Sequence, residues 1–303
     1  MWTEELFQVK KPVIALLHLR ALPGDPLYDR EGGLKQVVDI ARRELHALQD
    51  GGVDGILFAN EFSLPYQPRV DYVTVAAMAR IIGELRGELR VPYGVNIAAN
   101  PLAALELAVA TDANFVRAAF TGAYLGEAGV TTTDVAQTVR RRIQLDSPNI
   151  KMLYKVNPES DVYLAPRDIQ KITKSVIFHC FPDGLCVSGG SAGNETDDGL
   201  MQQVKAVAGQ VPVFCNTGCT AQNVAQKMET ADGVCVGTAF KVDGKFQNQV
   251  DPERVVQFMQ RVKEVRAALE RCGREKWEGR RTDWTGSGPI SWVLTWGQRP
   301  PRA

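Results

Sequence analysis

Short, mostly apolar runs alternate along this chain with longer stretches in which apolar positions recur every three or four residues. The short runs are Val13 to Leu19, Gly55 to Ala59, Tyr93 to Ile97, Phe115 to Ala119, Lys151 to Val156, Leu185 to Ser188, Val213 to Cys215 and Gly233 to Val236. Runs of this length that lack polar alternation are what strands buried on both faces leave in a sequence. Between them lie amphipathic stretches at about Leu34 to Gln49, Tyr72 to Leu89, Thr133 to Leu145 and Pro166 to Ser175, and one ending near Val207. Asn100-Pro101 reads as a helix cap followed by proline in the first turn, Thr220 as the cap of a helix through Glu229, and Asp251-Pro252 as the start of a last helix to about Arg271. Strand and helix thus alternate eight times, which predicts an α/β fold in which a parallel sheet closes on itself: a (β/α)8 TIM barrel over residues 1–271.

A faint repeat supports that reading. Lys11-Pro12, Val91-Pro92 and Val211-Pro212 precede the first, third and seventh strands, and Pro148 precedes the fifth at longer range. Asp54-Gly55, Asp183-Gly184 and Asp232-Gly233 precede the second, sixth and eighth, with Asp112-Ala113 assigned the same place before the fourth. Odd strands start one way and even strands another, as a two-strand unit used four times would produce.

Composition narrows the function classes. Lys plus Arg and Asp plus Glu balance at 35 each, which argues against a basic nucleic-acid surface. No apolar run is long enough to span a bilayer, and MWTEELFQVKK lacks the basic-then-apolar layout of a signal peptide, so a cytoplasmic protein without membrane insertion is expected. Cys180, Cys186, Cys215, Cys219, Cys235 and Cys272 form no CxxC pair and read as reduced core thiols. No acidic or His cluster has metal-ligand spacing, no GxxxxGK[ST] is present, and neither metal nor cofactor is expected.

A barrel of this kind carries its chemistry where strands end. The polar residues there are His18, Asn60 or Glu61, Asn96, Arg117, Lys155, Ser188, Asn216 with Thr217, and Thr238. Lys155 suits a Schiff base or general acid, Arg117 an anion through its guanidinium fork, Glu61 a general base and His18 a proton shuttle. An ion-pair network with no chemistry is the competing reading of Glu61, Arg117 and Lys155. Asn96 and Asn216 could orient hydroxyls or cap turns, and Ser188 opens the glycine-rich loop GGSAGNETDD, long enough to act as a mobile lid. His46 and His179 fall away from the strand ends. The turns holding Thr217-Gly218 and Gly237-Thr238 follow the seventh and eighth strands, where barrels frequently hold phosphate, although the same glycines also serve tight turns.

HLRALPGDPLYD, GILFANEFSLPY, FVRAAFTGAY, DGLCVSGGSAG and DGVCVGTAFK together resemble the BtpA/SgcQ family over about residues 10 to 270. That resemblance implies a βα barrel and places His18, Asp25, Glu61, Arg117, Lys155 and Ser188 at the family's signature positions. The family includes a factor linked to photosystem I biogenesis and members encoded beside sugar-transport genes, and the NEFSLPY wording is similar to the second branch. Ala192-Gly193 stands where the family tends to have Thr-Gly. Residues 272–303 hold four of the five tryptophans without periodicity and are expected to be an irregular extension outside the barrel, disordered or packed on a partner subunit of a homo-oligomer. Two function classes follow: an isomerase or lyase acting on a small phosphorylated sugar or related carbonyl compound, and a non-catalytic assembly factor.

Overall fold

The structure, a computed structural model, describes the backbone of residues 1–127, 129–191 and 193–282, and side chains as far as Arg271. In chain order the elements are α1 (Trp2–Phe7), β1 (Val13–His18), α2 (Gly33–Asp50), β2 (Gly55–Ala59), α3 (Tyr72–Leu85), β3 (Tyr93–Asn96), α4 (Pro101–Ala110), β4 (Phe115–Ala118), β5 (Ala123–Gly126) and β6 (Gly129–Thr132). There follow α5 (Val135–Gln144), β7 (Lys151–Lys155), β8 (Val162–Tyr163), α6 (Ile169–Cys180), β9 (Gly184–Val187), α7 (Asp198–Val207), β10 (Val213–Cys215), α8 (Val224–Thr230), β11 (Gly233–Val236) and α9 (Pro252–Thr282). Eight parallel strands close into a barrel in the order β1-β11-β10-β9-β7-β4-β3-β2. Residues Met1–Val265 form this compact unit, and Arg266–Ala303 group separately. The departure at Ala192 and the tryptophan side chains of the C-terminal segment lie outside the described residues.

The repeat at the strand starts has a physical basis. Asp54 Oδ2 accepts the amide of Val13 at 2.7 Å, Asp183 Oδ2 that of Met152 at 2.9 Å and Asp232 Oδ2 that of Val213 at 2.8 Å. Each aspartate amide in turn donates to the carbonyl of the same residue, at 3.1, 3.0 and 2.7 Å. The clip satisfies a donor and an acceptor at the start of one strand from the start of a neighbouring strand. Pro12, Pro92 and Pro212 complete the pattern by accepting from Val234, Ile56 and Leu185. The fourth clip is made by Asn114 on Tyr93, at 3.1 Å, and not by Asp112, whose side chain is exposed beside Arg86. Position 114 is the one that aligns with the three aspartates, because strand pairing fixes the register.

Beneath the mouth the barrel is filled by Ile14, Leu16, Leu57, Phe115, Leu153, Cys186, Phe214 and Cys235, with Phe7 of α1 closing the lower end. Phe7 meets Phe115 edge to face at 5.9 Å, and Trp2 Nε1 donates to Asp183 O at 2.8 Å. The glycines of the repeat make room for these rings: a Cβ at Gly55 would lie 2.6 Å from Phe7, and one at Gly233 would lie 2.6 Å from Phe214. Helices α4, α5, α6 and α7 each begin on an Asn or Asp side chain accepting an amide three residues on, from Asn100, Asp134, Asp168 and Asp197. Four features depart from the sequence reading. The plug α1 and the small antiparallel sheet β6-β5-β8 were not expected. Helix α8 starts at Val224 with Asn223 at its cap, since Thr220 and Asn223 bond reciprocally and consume a turn first. Helix α9 continues past Arg271 to Thr282.

Candidate functional site

A cleft of about 160 Å³ opens where the barrel strands end. The turn after β10 lines it with Asn216, Thr217 and Gly218, and the turn after β11 with Gly237 and Thr238. His18 from β1, Glu61 from the loop after β2 and Arg117 from β4 line it as well. Eight of the residues expected from sequence therefore converge. Lys155, Ser188 and Asn96 are not on its wall.

Arg117 is 2 % exposed and reaches across the barrel. Its NH1 donates to Asn216 Oδ1 at 2.9 Å, and its NH2 stands 3.5 Å from Glu61 Oε1. The other Glu61 oxygen takes the Tyr66 hydroxyl at 2.8 Å, and burial together with that carboxylate raises the phenol's pKa. Glu159, in the loop after β7, receives Lys155 Nζ at 3.0 Å, Asn216 Nδ2 at 2.8 Å and Ser188 Oγ at 3.3 Å on one oxygen. Lys155 thus faces a carboxylate instead of the cleft, which does not suit the Schiff-base role. Ser188 is buried behind the wall, its backbone held by Asn157 in both directions. Asn96 is buried at the end of β3. Of the pair offered for the second strand end, Asn60 accepts the Ala98 amide and holds the backbone, leaving Glu61 on the wall. Asp25 is likewise a tether, accepting from Leu22 N and Ser63 Oγ at 2.6 Å each.

Arg117 and Lys155 do not stand as free cations, because each faces a carboxylate. The cation on the wall that forms no ion pair among the described residues is Arg254, from the first turn of α9. Its Nε donates to Ala239 O at 2.9 Å, which draws the guanidinium to the turn after β11. No acceptor among the described residues takes the amides of Gly218, Cys219, Thr238 or Ala239. The Thr217 hydroxyl is committed, since it accepts the Gly189 amide at 2.5 Å.

His18 is 4 % exposed with neither ring nitrogen hydrogen-bonded among the described residues. Burial, reinforced by Lys241 and Arg117, holds its pKa well below the ordinary value of 6.5, so the ring is a neutral imidazole. Phe246 lies 5.3 Å from it and stacks on Phe62 at 4.8 Å. The segment bearing Phe246 is pinned by the Lys241–Val250 bridge and by Arg20 donating to Gln247 O at 2.9 Å. The far end of the loop after β9 is anchored: Thr196 is fully buried and its hydroxyl bonds Thr217 O at 3.0 Å.

Glu159, Tyr66, Phe246 and Arg254 were missed by sequence reasoning. A carboxylate four residues beyond Lys155 was the one available signal. Arg254 lies on a helix flank and Phe246 in an irregular segment, where strand-end logic does not look. Cys186, Cys215, Cys219 and Cys235 are buried free thiols, and Cys180 is half-buried. Among the described residues no group of His, Cys, Asp or Glu is placed to hold a metal ion, and no helix is long and apolar enough to cross a membrane.

Known proteins can be set beside this geometry. The barrel is similar to that of (S)-3-O-geranylgeranylglyceryl phosphate synthase from Thermoplasma acidophilum, with a TM-score of 0.54 and 16 % identity over 86 % of this chain and 97 % of that one. The putative sgc region protein SgcQ of Escherichia coli K12 is 47 % identical over 88 % of this chain and 99 % of its own. The photosystem I biogenesis protein BtpA of Synechocystis is 30 % identical over 86 % and 91 %. The BtpA family model matches residues 9–264, from the strand that carries His18 to the helix that carries Arg254. The chain belongs to the BtpA family and is more similar to SgcQ than to BtpA itself.

Proposed function

We propose that this chain is an enzyme acting on a small phosphorylated sugar or related carbonyl compound, in an isomerase or lyase type of reaction, with phosphate held by the turns after β10 and β11. The observation that carries the reading is that one cleft gathers both turns, the Arg254 guanidinium, a neutral buried His18 and the carboxylates of Glu61 and Glu159. Backbone amides and a guanidinium stabilise an oxyanion, while imidazole and carboxylate move protons. The likeness to a phosphate-handling synthase at 16 % identity supports the fold alone. Residues 1–271 would carry the activity in a cytoplasmic homo-oligomer, with 272–303 as an appendage.

A non-catalytic assembly factor would be favoured by Glu61, Arg117 and Lys155 locked together with no cavity. The carboxylate pairings are present, but about 160 Å³ remains open beside them. Thermal stabilisation by a panel of sugar phosphates tests the choice. At least one sugar phosphate raises Tm by several degrees in the parent protein and much less in Arg254→Ala. A panel in which the unphosphorylated sugars stabilise equally well would refute the proposal.

A further inference from the structure

Two carboxylates on the cleft wall are held in place by groups that neutralise them. Glu61 lies against Arg117 at 3.5 Å, and Glu159 against Lys155 at 3.0 Å. Neither cation is therefore left over to receive a second anionic group. On Glu159 the three donors converge on Oε1, and no described residue donates to Oε2. The wall between these carboxylates thus offers hydrogen-bond acceptors without net positive charge.

A second, independent observation points to a ligand at the same place. His18 lines the cleft at 4 % exposure, with both ring nitrogens unpartnered among the described residues. A buried imidazole without partners is costly, and a neutral one offers a donor and an acceptor together. A hydroxyl group matches both demands, because it donates to a carboxylate while accepting from the imidazole N–H. A substrate carboxylate could only accept, and it would stand among two carboxylates that already hold their countercharges.

We infer that, resting on the phosphate reading above, the part of the cleft between Glu61, Glu159 and His18 takes a neutral polyhydroxylated carbon chain and excludes one ending in a carboxylate. The substrate class is then a polyol, aldose or ketose phosphate, as opposed to a sugar-acid phosphate. Lys155 is a positioning residue in this arrangement. It acts by fixing Glu159.

Matched ligands test this on the full chain without any substitution. Calorimetric titrations would compare glycerol 3-phosphate with 3-phosphoglycerate, and ribitol 5-phosphate with ribonate 5-phosphate, alongside inorganic phosphate. The neutral member of at least one pair is expected to bind roughly 100-fold more tightly than its acid. Glu159→Gln, and separately Glu61→Gln, should narrow that gap about 10-fold where each variant keeps the parent's melting temperature within a few degrees. Acids that bind as well as their neutral partners, while inorganic phosphate still binds, overturn the inference and leave the phosphate reading standing. Failure of every phosphate compound to bind, inorganic phosphate included, removes both.

Discussion

The turn after β10 owes its position to Gly218, and replacing that residue with alanine measures how firmly the site is built. Its φ is +64°, and a Cβ there would lie 2.3 Å from both Cα and N of Glu195 and 2.4 Å from the Asn194 carbonyl carbon. Carbon atoms rest at about 3.5–4.0 Å, so the loop after β9 would have to retreat by more than 1 Å. That loop is anchored by Thr196, whose burial and hydrogen bonds to Thr217 and Val187 resist the movement. The left-handed backbone costs about 1–2 kcal/mol for a residue with a Cβ, and overpacking about 1–3 kcal/mol more. The expected loss is about 2–5 kcal/mol, a drop in Tm of roughly 5–15 °C for a domain of this size. Gly209 supplies the control: its φ is +59° and a Cβ there would meet nothing within 4 Å. Gly209→Ala should show the backbone cost alone. Urea unfolding of the two variants separates the contributions, with Gly218→Ala losing at least about 1 kcal/mol more. Equal losses would mean that the turn does not dock on the 194–196 backbone.

Three further outcomes are expected. The depressed pKa of His18 means that below its ordinary value of 6.5 the unfolded chain binds a proton that the folded protein does not, so stability falls as pH drops. The slope is up to about 1.4 kcal/mol per pH unit, and denaturant titrations from pH 7 to 5 should show it in the parent and not in His18→Asn. Phe7→Ala empties the lower end of the barrel and should cost about 3–5 kcal/mol in unfolding free energy, whereas a loss under about 1 kcal/mol would show that α1 does not plug it. Arg117→Met leaves Glu61 unpaired at the buried end of its reach and should cost about 3–5 kcal/mol, of which Glu61→Gln restores a measurable part in a double-mutant cycle; strict additivity would deny the pairing.

The barrel was legible because its strands are buried on both faces, and unbroken apolar runs such as Val13 to Leu17 record that directly. Their Pro and Asp-Gly starts were legible too, since the aspartates clip neighbouring strands together. Asn114 was misplaced by two residues because asparagine and aspartate do this work equally well, and nothing local distinguishes Asp112 from the residue in register. Strand-end residues such as His18, Arg117 and Asn216 could be named because closure of the barrel brings every strand end to one mouth. What the sequence could not reveal was which polar groups neutralise one another there. Lys155 pairs with Glu159 of its own following loop, a partner strand-end reasoning did not name, and Arg254 comes from a helix whose docking depends on tertiary contact. Short inserted strands such as Val162–Tyr163 have too few residues to show a period.

A crystal structure with a bound phosphosugar addresses the central claim most directly. The account predicts a phosphate within hydrogen-bond distance of amides in both the Gly218 and the Thr238 turns, with the Arg254 guanidinium beside it and the carbon chain directed toward His18. A phosphate bound elsewhere on the barrel, or a ligand whose phosphate meets Arg117 while those two turns stay empty, would contradict it.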